Sequence, residues 1–205
     1  MIMTKSYKPV NFNLDFKKLI ACLTYFASHC ESMTKLKAIK LLYFLDKYHL
    51  VKYGRPVLGD NYVRMGLGPV PSMTLDIINE IQDAYQYKIK MLDSTNKEYF
   101  GQFLKVAGTS KYPVFHAVKD ADLDELSQTE KEALFDTMKN YGKYAASTLV
   151  EKTHRDATCK KTEINHYIDY KLFFEGESKV NPHAFEYFRS LEEDVSFLNV
   201  LDANA

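Results

Sequence analysis

The stretch Ala38-Ile39-Lys40-Leu41-Leu42-Tyr43-Phe44-Leu45 decides how the rest of this 205-residue chain must be arranged. Its eight residues carry a single charge and cover about two helical turns, so apolar groups point in every direction around the axis. Such a helix belongs at the centre of a domain, covered on all sides. It is expected to start near Thr34, with Ser32 or Thr34 as its cap. It should end near Tyr53-Gly54, where Gly54 suits a left-handed C-terminal cap. Lys37, Lys40 and Lys47 fall on one narrow strip, and this strip is expected to be the part that reaches water.

Working outward, Phe16, Leu19, Ile20, Leu23, Phe26 and Ala27 recur at spacings of three and four and predict a helix from Asn13 to about Cys30. After Gly54 the chain changes character. Gly59, Gly66 and Gly68 alternate with Pro56, Pro69 and Pro71, giving an ordered loop or short strands, with Asn61–Met65 as one strand. Ser72 should cap a third helix with the stripe Ile77, Ile78, Ile81, Ala84 and Tyr85. From Lys90 to Val118 the helical period is lost, and Phe100–Ala107 and Tyr112–Val118 read as two strands. Pro113 puts the second at a sheet edge or a bulge. Ser127-Gln128-Thr129-Glu130 has the capping-box pattern and opens a helix that Gly142 bends or ends. A further helix begins near Tyr144, and Asn181-Pro182 opens the last, with Phe185, Phe188, Leu191, Val195 and Leu198 as its stripe. The expected fold is mainly α, of the α+β class: a compact domain of about six or seven helices with a small β element.

Composition limits the function. There are 27 basic and 27 acidic residues, so the net charge is zero and nucleic acid is a poor partner. Fifteen Tyr and thirteen Phe with no Trp suit interfaces as well as cores. Met1–Val10 lacks the apolar run of a signal peptide, and no stretch reaches the roughly 18 apolar residues of a membrane helix. Cys22, Cys30 and Cys159 are too few and too scattered for a disulfide framework, which favours a reduced, cytoplasmic setting.

No catalytic constellation is evident. Gly66-Leu67-Gly68 is followed by Pro69, which has no N–H for a phosphate, so it reads as a structural turn. His29 beside Cys30, and His154 near Cys159, lack the paired spacing of a zinc site. Cys159 has nothing local to activate it unless Lys160 and Lys161 fold against it. No metal and no cofactor are expected. The lysine strip reads as a solvated face or as a contact for an acidic partner. The run Tyr167, Tyr170, Phe173 and Phe174 reads as an interface anchor or as packing.

One set of residues has a family likeness. Lys40-Leu41-Leu42-Tyr43-Phe44, then Asp46, Leu50, Gly54 and Pro56, then Tyr62 and Gly68-Pro69-Val70, resembles the Panacea domain, the SocA-like antitoxin domain often called phage-associated. Leu126-Ser127, Tyr141-Gly142, Ser147, Leu149 and Thr153-His154 resemble its second half. The likeness implies a single such domain over 1–205, with 175–205 as a C-terminal helix and tail. It implies the antitoxin of a type II toxin–antitoxin module, in phage defence, that binds a cognate protein toxin encoded by a neighbouring gene. On that view Lys40–Phe44, Asp46, Gly68, Pro69, Val70, Thr153 and His154 are mostly structural. Contact with the partner would fall to Lys37, Lys40, Lys47, Tyr62, Arg64, His154 and Arg155. Two alternatives stand beside it: an adaptor that delivers a bound protein to a protease, and a small enzyme using His154 and Asp156, with Asp46 if folding brings it near.

Overall fold

The computed structural model describes residues 12–82, 90–109, 112–178 and 180–202. Helix α1 (Phe16–His29) is capped by Asp15, whose carboxylate accepts from the Lys18 N–H. A two-residue strand, β1 (Met33–Thr34), leads into α2 (Lys35–Tyr53), with Thr34 as cap and Gly54 left-handed at φ 79° as its end. A Cβ on Gly54 would sit 2.5 Å from the Ala184 carbonyl oxygen, so the close approach of the last helix also requires glycine. The hairpin β2 (Tyr62–Met65) and β3 (Gly68–Pro71) turns at Gly66-Leu67. Helix α3 (Ser72–Ile81) follows. Its cap is not Ser72: the carboxylate of Asp60 accepts from the N–H groups of Met73 (3.0 Å) and Thr74 (2.7 Å). Ala84 and Tyr85 lie outside the described residues.

The reading of 90–118 needs correction. Helix α4 (Ser94–Phe103) occupies the first part, capped by Asp93, and the strand begins only at Leu104. Asp93-Ser94 is a start signal, but this exposed helix buries only Phe100 and Phe103, so it has almost no apolar stripe to read. Strands β4 (Leu104–Thr109) and β5 (Tyr112–Ala117) pair antiparallel, and β1 adds to the far side of β5. Short β1 covers only Val114 and Phe115, so Pro113 lies at a free edge.

Helix α5 (Gln128–Tyr141) opens on the expected capping box and ends at Gly142. Helix α6 (Ala146–His154) starts two residues later than Tyr144, and the one-turn α7 (Ala157–Lys160) follows. Tyr170, Phe173 and Phe174 are buried in the core, whereas Tyr167 faces out. Helix α8 (Pro182–Asp202) begins with proline in its first turn and buries Phe188. Val195 and Leu198 are outside the residues whose side chains are described. The described residues thus form eight α-helices, with α4 and α7 beyond the expected set, around a three-stranded and a two-stranded sheet.

Glu130 joins three of these elements. Its side chain is buried and takes the Ser127 N–H (2.8 Å), Lys18 of α1 (2.8 Å) and Arg55 beyond α2 (2.7 Å). Burial opposes its charge, but these donors prevail and hold its pKa down at about 2. Because the folded pKa lies below the unfolded one, the stabilisation is complete above about pH 5 and fades as pH falls towards 2. A Glu130→Gln protein is expected to be about 2 kcal/mol less stable at pH 7, a figure reduced because Lys18 and Arg55 are partly exposed. Urea unfolding at a series of pH values should show the deficit closing towards pH 2.

Candidate functional site

The face of α2 that was expected to be wet is dry. Lys37, Lys40 and Lys47 are all buried, so the strip does not keep this helix soluble; each ammonium instead crosses to another element. Lys37 donates to the Gly142 carbonyl (2.7 Å) and Lys40 to the Pro69 carbonyl (2.7 Å). Lys47 bridges Asp156 (2.8 Å) and Glu177 (2.7 Å). The physical reason is the all-round burial read from the neighbouring apolar residues: a polar residue on such a helix is buried with them and must find a partner.

Lys40 is the centre of the likeness noted above. Burial draws its pKa down to about 8, so its charge is held against cost. Gly68, at φ 93°, lies against it. A Cβ there would be 2.6 Å from Thr153 Oγ1 and 3.3 Å from Lys40 Nζ. Lys40, Gly68, Pro69 and Thr153, scattered over more than a hundred residues, therefore meet at one point and lock the hairpin between α2 and α6.

Nearly two turns further on, Asp46 is buried without a cation. Oδ1 accepts from Val57 (2.8 Å) and Leu58 (2.9 Å) N–H groups, and Oδ2 lies 2.9 Å from the Tyr62 hydroxyl. Burial raises its pKa to about 7, although these donors resist the shift. The site accommodates both forms. When Asp46 is ionised, Tyr62 donates to it; when protonated, Asp46 can donate to Tyr62, whose own proton then turns to the Leu42 carbonyl at 3.2 Å. Tyr62 is itself buried, so Asp46 and Tyr62 form a core pair and not a surface one.

Asp156 serves α2 from outside. The Tyr43 hydroxyl donates to it at 2.9 Å, so the Thr158 hydroxyl, 2.7 Å away, donates in turn to Tyr43. Asp46 is bonded elsewhere and does not join Asp156, and His154 points to solvent as an exposed residue. Cys159 is buried, and burial raises its pKa; the cations acting on it are Lys40, Arg64 and Lys47, not Lys160 or Lys161. Arg64 is half-buried and donates to the Thr162 carbonyl, which ties β2 to the segment after α7. Among the described residues no group of three or more metal-type side chains converges. No helix among them is long and apolar enough to cross a membrane.

What faces out near the motif is different. Met65, Leu67, Ile164 and Tyr167 are large apolar residues at 39, 56, 54 and 49% exposure. They belong together because 163–168 runs beside β2: Arg64 N–H donates to the His166 carbonyl, Asn165 N–H to the Arg64 carbonyl, and Val63 bridges Tyr167. Tyr167 stands in the aromatic run read from sequence as an interface anchor or as packing, whereas Met65 and Leu67 had no such reading. Apolar residues at both sides of Gly66, where turns usually carry polar ones, were the available signal.

A largely buried helix whose lysines hold a Gly-Pro-Val hairpin through the Pro69 carbonyl and the turn after α6 through Asp156 is the frame of a small α+β domain. The antitoxin SocA-like, Panacea-domain family model matches residues 39–159, more than half of the chain, and the chain belongs to that family. Comparison with curated proteins and with solved structures finds no match.

The Asp46 pair gives a pH test. Its folded pKa lies above the unfolded value, so its favourable contribution is complete below about pH 4 and is lost as pH rises through about 7. Asp46→Asn can keep the acceptor for Val57 and Leu58. The variant is expected to gain on the natural protein as pH rises from 4 to 7, with a constant difference above about pH 8. Chemical unfolding of both across that range checks it.

Proposed function

We propose that this chain is the antitoxin of a type II module and neutralises a cognate protein toxin, the product of a neighbouring gene, by direct contact. The match to the antitoxin SocA-like, Panacea-domain family carries this reading. The use of the motif residues supports it. Lys40, Asp46, Gly68, Pro69 and Thr153 are spent on the interior, which fits a scaffold for a contact surface, and the role proposed is binding.

The contact surface we favour is the hairpin tip, with Met65, Leu67, Ile164 and Tyr167 as its apolar centre. Gly68 abuts Thr153, so His154 and Arg155 follow at the side of the hairpin, and both are exposed. Arg155 forms no ion pair among the described residues, and Glu163, beside Ile164, is exposed, so the rim carries both signs of charge. The toxin that fits is a protein with an apolar protrusion ringed by polar groups. Lys37, Lys40, Lys47 and Tyr62 are buried and act behind this surface; of the residues named from sequence, Arg64, His154 and Arg155 border it.

The test is co-expression with the neighbouring gene. The chain should relieve that product's toxicity and co-purify with it. Leu67→Glu and Tyr167→Glu should weaken the complex by about tenfold or more while thermal unfolding stays within a few degrees of the natural protein. A neighbouring product that is not toxic, or that does not bind, sinks the reading.

A further inference from the structure

A cleft of about 600 Å³ that shares no lining residue with the hairpin tip lies between α2, α5, α6 with Asp156, and residues 177–178. Its apolar wall is Phe44 stacked on Tyr141, with ring centroids 4.0 Å apart and planes 7° from parallel. Its polar groups can be balanced one against another. Asp156 and Glu177 share Lys47. Asp136 accepts from the Tyr48 hydroxyl at 2.6 Å, and Lys52 stands 3.2 Å from that same oxygen while also holding Glu132. Every carboxylate lining the cleft thus has a donor.

The donors are not all used. Lys152 lines the cleft and forms no ion pair among the described residues; its ammonium lies 4.6 Å over the Tyr144 ring. Asn140 lines it too and makes no side-chain hydrogen bond among them. Thr137, one helical turn before Tyr141, is 1% exposed, and its buried hydroxyl has no partner. A buried hydroxyl left unpaired is costly, and it is the kind of group that a ligand or an ordered water completes. Threonine in a helix has two open side-chain rotamers, so a turn about Cα–Cβ can present this hydroxyl to the cleft.

The lining carries three ammoniums (Lys47, Lys52, Lys152) and three carboxylates (Asp136, Asp156, Glu177), so it has no net charge; what it leaves over is the Lys152 ammonium and the unused donors of Thr137 and Asn140 beside an aromatic wall. We propose that this cleft binds an oxyanion, carboxylate or phosphate, carried on a flat apolar stem. The head takes hydrogen bonds from Thr137, Asn140 and Lys152, and the stem lies along Phe44 and Tyr141. This site is separate from the hairpin tip and does not depend on the neutralisation of a toxin.

The experiment is titration of the full chain, by calorimetry and by amide chemical shifts, with phenyl phosphate, benzoate, inorganic phosphate and, as an opposite-charge control, phenylguanidinium. Saturable binding of phenyl phosphate or benzoate supports the proposal, and the stronger of the two says which oxyanion is preferred. Inorganic phosphate should bind at least about tenfold more weakly than phenyl phosphate, because it lacks the stem. Thr137→Val keeps the shape and removes the hydroxyl; Lys152→Met removes the charge. Each should weaken binding by about tenfold, with the fold checked by circular dichroism. The proposal is overturned if neither oxyanion saturates by about 10 mM, a range in which weak, fragment-sized ligands still register. It is also overturned if either substitution leaves affinity unchanged, or if phenylguanidinium binds more tightly than both anions.

Discussion

Helix α2 is buried on every side, yet it carries Lys37, Lys40, Tyr43, Asp46, Lys47 and His49 into the interior. A buried polar group without a partner costs more than most single contacts contribute. Each of these therefore had to be answered, and each is answered by a different segment. Lys37 is met by the end of α5, Lys40 by the hairpin, Tyr43 by Asp156 and Thr158, and Asp46 by the backbone after α2. Lys47 is met by Asp156 and Glu177, and His49 by the Arg55 carbonyl and Thr129. Apolar burial places the helix at the centre; the polar demands on it decide where the other elements stop.

Two buried carboxylates show how position, and not residue type, sets charge. Glu130 is surrounded by Lys18, Arg55 and an N–H, and its pKa is held down at about 2. Asp46 has N–H groups and a tyrosine hydroxyl but no cation, and burial carries it up to about 7. The first acts as a fixed anion tying α1, α2 and α5 together. The second can gain or lose its proton while Tyr62, held protonated by burial, keeps its own, and both states of Asp46 keep the local hydrogen bonds.

The same economy explains the hairpin. Gly68 is needed because a side chain there would strike Thr153 and Lys40, and Pro69 supplies the carbonyl that Lys40 requires. With the base of the hairpin fixed in this way, its tip can carry Met65 and Leu67 into solvent without collapsing onto the core. A rigid frame of this kind lowers the conformational cost of presenting an apolar contact.

Much of this was legible in the residues alone. The run 38–45, apolar but for Lys40, marked α2 as central, Gly54 and Ser127–Glu130 marked helix ends, and Asn181-Pro182 marked the start of α8. Those signals are local, so sequence carries them in full. It also held the family's motif, whose residues lie within the matched span 39–159. Three things were not legible. Helix α4 is amphipathic in only two residues, so its period is too weak to compete with the strands beside it. The lysines of α2 looked like a wet strip because charge alone reads as exposure, and only the folded chain brings the carbonyls of Pro69 and Gly142 within reach. The meeting of Lys40, Gly68 and Thr153, the pairing of Asp46 with Tyr62, and the cleft beneath Lys152 join residues far apart along the chain. Periodicity and caps report on neighbours within a turn or two; which distant group satisfies a buried charge is set by packing in three dimensions, and only the tertiary structure contains it.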